Sequence, residues 1–141
     1  MYRKLAEVVK EFHQGIRDSR RPEDRKLAAD YVAALAPLLA GAILGEDILS
    51  ELPKVDRLLG QTWLIDDGPF RKALEGWKQF RNDYAKFALS SMTVNERLLA
   101  LGTLEAFESA VASRDVGEMR RLLTEAYVDE PSVNKMVDNL I

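Results

Sequence analysis

No cysteine occurs among the 141 residues, so the chain can form no disulfide, no thiolate metal site and no cysteine nucleophile. Histidine is nearly as scarce. His13 stands alone, which removes paired imidazole ligands and acid–base schemes that need two imidazoles. Beside Phe12, at a helical spacing, it reads as a surface or boundary residue. The Gly-rich phosphate loops, the G-x-S-x-G elbow and the H-E-x-x-H zinc motif are all missing from the sequence. Nothing therefore asks for a cofactor. Repeats of 20–50 residues, low-complexity tracts and period-two strand patterns are absent as well.

The thirteen residues from Val32 to Leu44 carry no charge. Such a run falls short of the roughly 17–25 needed to span a bilayer. The N-terminus spreads its charges and shows no apolar core followed by a small-residue cleavage site, so no secretion signal is expected. A cytoplasmic protein without a membrane segment is the simplest expectation.

What is present is ordinary for one globular domain: 47% apolar and 30% charged residues, with a net charge of −3. No global positive field draws such a chain to nucleic acid. Charge is nonetheless uneven. Residues 1–26 carry eight bases against five acids, and 27–53 carry four acids and no base. The last stretch, 91–141, has five bases against nine acids.

The segment Leu27–Leu44 is uniform enough to predict a helix buried on most sides, with amphipathic helices wrapped around it. Leu5, Val8, Val9, Phe12 and Ile16 predict a first helix over 2–16, with Gly15 fraying its end. Pro22 suits the first turn of the next helix, with Glu23 and Asp24 beside its positive end, and Pro37 predicts a kink or break near 33–37. Gly45 marks a helix stop, and Pro53 is expected to interrupt a short helix begun at Glu46-Asp47. Trp63-Leu64-Ile65 reads as an apolar plug lying on the core. Asp66-Asp67-Gly68-Pro69 then marks a turn and a fresh helix start. From Phe70 to Ala88 the apolar spacing predicts a five-turn aromatic helix, the expected main neighbour of the core helix.

Thr93-Val94-Asn95-Glu96 has the form of a capping box, Asp115-Val116-Gly117-Glu118 repeats that logic, and Asp129-Glu130-Pro131 opens a last helix. The expected architecture is all-α. About seven helices form a compact bundle around the buried helix 27–44, with a soft boundary near 90–93 and a possible three-helix segment over 92–141. Glu46-Asp47 and Asp129-Glu130 are explained as helix-start charges and Asp66-Asp67 as turn residues, so no metal site is expected.

Two stretches resemble known families. Arg81-Asn82-Asp83-Tyr84-Ala85-Lys86 looks like the R-N-x-[FY]-A-H signature of HEPN-type helical domains, many of them ribonucleases or partners in toxin–antitoxin pairs. That resemblance implies an RNA site at Arg81, Asn82 and Lys86, with arginine steadying the phosphate. The histidine position is Lys86, and an ordinary lysine cannot move protons near neutrality as imidazole does, so a binding-only domain is implied. The last fifty residues, from Met92-Thr93-Val94-Asn95-Glu96-Arg97-Leu98 onward, resemble short uncharacterised bacterial helical proteins that begin similarly. This likeness brings no activity with it.

Three functional readings follow. The first is a small protein-binding protein of immunity or antitoxin type, not an enzyme. It would use the acidic final third (Glu105, Glu108, Glu118, Glu125, Asp129 and Glu130) to cover a basic toxin or nuclease. The second is the degenerate RNA-acting domain at Arg81, Asn82 and Lys86. The third is a homo-oligomeric scaffold with Trp63, Trp77 and Phe80 partly exposed as its interface.

Overall fold

The computed structural model describes residues 2–141. Among them the fold is all-helical: eight α-helices and two 3₁₀ turns, and no strand. The chain divides into two compact units, residues 1–84 and 85–141.

In the first unit, α1 (Tyr2–Asp18) buries Leu5, Val8, Phe12 and Gly15 along one stripe. Gly15 does not fray the helix; it lies within it. A Cβ there would stand 2.7 Å from the Pro69 carbonyl oxygen and against the Phe70 ring, so only glycine lets α1 touch the turn at Gly68–Phe70. Next to this contact the Phe12 ring meets Tyr31 edge-on, with centroids 5.8 Å apart, and lies 6.5 Å from Phe70.

The second helix, α2 (Pro22–Ile43), begins at its proline as expected and runs unbroken through Pro37. Pro37 faces water, as does Ala33, whose carbonyl has lost its donor. Water can serve that oxygen, so the helix survives the lost bond. The expectation of enclosure fails. Ala28, Tyr31, Leu35, Leu38 and Gly41 are buried, whereas Ala33, Ala36, Pro37, Ala40 and Ile43 are exposed. Lack of charge is not a large drive to burial when the side chains are alanines, each offering little apolar area. The close neighbour along α2 is α1, not the aromatic helix. With 22 residues, α2 has the length and composition to cross a membrane; here its buried face packs on α1 and α3.

After Gly45, whose φ of +76° ends α2 as anticipated, a 3₁₀ turn at Leu49–Glu51 leads into α3 (Leu52–Gln61). Pro53 starts this helix where it was expected to interrupt one, because a missing amide costs nothing in a first turn. The fourth helix, α4 (Arg71–Leu89), carries the aromatic stripe. Trp77 and Phe80, 6.0 Å apart, are 2% and 1% exposed, which removes them from any interface. The Tyr84 hydroxyl accepts from the Ile48 amide and donates to Asp47, each at 3.1 Å. Burial raises the Tyr84 pKa above its ordinary value, opposed by the Ile48 amide and reinforced by Asp47.

The second unit holds α5 (Val94–Ala100), α6 (Leu104–Ser113), α7 (Val116–Glu125) and α8 (Glu130–Leu140). Four helices stand where a three-helix segment was expected. Gly102, at φ +71°, divides the predicted Leu98–Val111 helix: the Thr103 amide closes on Leu98 O at 2.8 Å, and α6 starts afresh. Arg114 and Tyr127 take the same left-handed conformation at the ends of α6 and α7. The two expected caps form, Thr93 and Asp115 accepting the amides of Glu96 and Glu118, and Asp129, expected to open the last helix, caps it by accepting the amide of Ser132. Leu98, Phe107, Met119, Leu122, Leu123, Val133 and Val137 belong to this unit's own core. Arg97 ties α5 to the end of α7 by donating to the carbonyls of Ala126 and Tyr127 at 3.3 and 3.0 Å.

Candidate functional site

The acidic residues singled out in the final third differ in their partners. Glu118 and Glu125 flank Arg121 on α7 and share its guanidinium, with Glu125 at 2.7 Å. Hydrogen bonding from Arg121 holds Glu118 below the ordinary glutamate range, and the two acids raise the arginine in turn. Asp129 is held low by Ser132, whose amide it caps. Glu105 and Glu108 are exposed on α6, and Glu130 is exposed on the first turn of α8.

The residues of the RNA-site reading are differently placed. The Arg81 Nε donates to Asp56 Oδ2 at 2.7 Å, while the other oxygen of Asp56 accepts from Trp77 Nε1 at 3.0 Å. The Arg81 charge is thus already shared with a carboxylate of α3. Asn82 is exposed, and so is Lys86, which lies in the second unit. Among the described residues no three His, Asp or Glu side chains are grouped to hold a metal ion.

The feature that stands out instead is the loop between α3 and α4. Thr62 leaves α3 in an extended conformation, and the three residues that follow it differ in burial. Leu64 turns partly inward, while Trp63 is 81% and Ile65 61% exposed, which corrects the expected apolar plug.

The loop is not slack. At one end the Thr62 hydroxyl donates to Leu58 O at 2.6 Å, so the 2.8 Å contact with Tyr31 is a bond donated by the tyrosine. At the other end Asp24, 1% exposed, accepts the amides of Ile65 and Asp66 at 2.7 and 2.9 Å. Asp24 and Tyr31 are two turns apart on the buried face of α2. Both ends of the loop are thus fastened to the same helix, with the two exposed side chains held outward between them. Beside them opens a cleft of about 390 Å³ lined by Glu23, Lys26, Leu27, Asp30, Trp63 and Ile65.

Reasoning from sequence missed Asp24 as more than a helix-start charge, and Tyr31 altogether. The available signal was periodicity: Asp24, Ala28, Tyr31 and Leu35 share one helix face, so a carboxylate there points where the apolar residues point.

No protein-family model, no curated protein and no solved structure matches this chain.

Proposed function

We propose that this chain is a small protein-binding protein of the immunity or antitoxin kind, regulating a partner by surface contact through the Trp63–Ile65 loop. One observation carries the reading. A buried carboxylate and a buried tyrosine are committed to holding two large apolar side chains in water. Desolvating a carboxylate costs several kcal/mol before its hydrogen bonds offset it. The fold gains no burial of Trp63 or Ile65 in return. A rigid, exposed tryptophan is the side chain most often found to dominate a protein interface, and pre-ordering it lowers the entropic cost of binding.

The test is co-expression with the product of the adjacent gene, comparing the natural chain with Trp63→Ala/Ile65→Ala. The double substitution is expected to leave the melting temperature unchanged and to weaken the complex by about a hundredfold, the scale of an interface hot spot. Unchanged affinity, or no complex at either low or high salt, would overturn the proposal.

A further inference from the structure

We infer that the segment received by the Trp63–Ile65 loop is basic: an apolar side chain flanked by Lys or Arg. This rests on the protein-binding reading of that loop and adds the chemistry of the partner.

The apolar pair supplies contact area, and in the cleft beside it three acids outnumber one base. Glu23 and Asp30 line the adjoining cleft from α2, and Asp66 follows Ile65 directly. Asp24 adds a fourth carboxylate beneath the loop, its oxygens occupied by amides, not by a cation. Lys26 is the only base in the lining. Among the described residues none of these four acids takes part in an ion pair. In the final third Arg121 compensates Glu118 and Glu125, while Glu105, Glu108 and Glu130 stand exposed on α6 and α8. What sets the loop apart is that its unpaired acids adjoin an exposed tryptophan and isoleucine.

Beyond Asp30 the outward face of α2 changes character. Ala33, Ala36, Pro37 and Ala40 are exposed and uncharged, and they extend the surface roughly 15 Å beyond Asp30 at 1.5 Å per residue. A stable interface needs about 800 Å² per partner, more than a two-residue loop can supply. The uncharged strip provides the remaining contact area while the cations gather at the Trp63 end. Complementary charge would then speed encounter and fix which way round the partner lies.

Two labelled synthetic peptides test this against the full chain by fluorescence anisotropy: a helical peptide of leucine, alanine and lysine, and its twin with glutamate for every lysine. The lysine peptide is expected to bind at least about tenfold more tightly than its twin and to weaken as salt rises. Glu23→Lys/Asp30→Lys should invert that preference, and Glu23→Gln/Asp30→Asn should abolish it with the circular dichroism spectrum intact. Glu105→Lys/Glu108→Lys on α6 should change affinity less than about twofold. Equal affinity for the two peptides, binding of neither, or a larger effect from the α6 variant would overturn the inference. Preference for the glutamate twin, with binding still lost in Trp63→Ala, would overturn the basic partner and leave the protein-binding loop standing. Peptide binding indifferent to Trp63→Ala would overturn both.

Discussion

Asp24, closed off from water in the first turn of α2, holds the backbone amide of Ile65 at 2.7 Å across forty-one positions of sequence. Its second oxygen holds Asp66 at 2.9 Å. Asp24→Asn replaces one of those acceptors with an amide donor, leaving a backbone N–H facing an N–H. The expected cost is about 2 kcal/mol, the scale of a charged hydrogen bond lost with its partner unsatisfied. Urea unfolding at unchanged m checks the cost, and faster proteolytic cleavage within 62–67 reports the released loop.

Two glycines should respond in opposite directions to the same added methyl group. Gly15→Ala drives Cβ into the Phe70 ring and within 2.7 Å of the Pro69 carbonyl; overpacking of this kind costs about 1–3 kcal/mol. Gly60, near the end of α3, has nothing within 4 Å of where its Cβ would stand. Gly60→Ala should stabilise the chain by about 0.5 kcal/mol through helix propensity alone. Thermal melts of the pair give the comparison. Equal shifts in either direction would contradict the packing described at Gly15.

Arg114 ends α6 at φ 55°, a left-handed conformation that strains any residue with a Cβ. Its amide and that of Asp115 close on Val111 and Ala110, so the turn is kept by its hydrogen bonds. Arg114→Gly keeps those bonds and removes the strain, and a gain of about 1 kcal/mol is expected. A denaturant midpoint that moves down instead would show that the arginine side chain matters more than the turn.

Acid should weaken the second unit through Glu118 and Asp129. Both are held below their ordinary values, Glu118 by Arg121 and Asp129 by Ser132. A depressed carboxylate contributes stability that is present above its unfolded value and lost as pH falls through the folded one. For Glu118 the loss begins near 4.5, the ordinary glutamate value, and for Asp129 near 3.8. Melting temperatures between pH 6 and pH 3 should therefore fall more steeply for the natural chain than for Glu118→Gln/Asp129→Asn. Parallel curves would remove these two groups as the cause.

Local chemistry made much of the fold legible before any coordinates. Prolines at the starts of α2 and α8, the glycine that stops α2, and the caps Thr93, Asp115 and Asp129 act within three or four residues, through backbone groups that are neighbours in sequence as in space. Where local signals competed, position decided: Gly102 split a helix that the leucine spacing carried straight on, and Pro37 failed to split one because its side of α2 is hydrated.

All-helical character and most helix ends were determined by the sequence itself, because periodicity and caps are short-range properties of the chain. Which faces were covered was decided only when the helices packed. Nothing near Trp63 in sequence says that it stays in water while Trp77 is enclosed, and nothing near Asp24 names Ile65 as its partner. Burial and hydrogen bonding between distant segments depend on which surfaces meet, and that is set by the whole arrangement of helices.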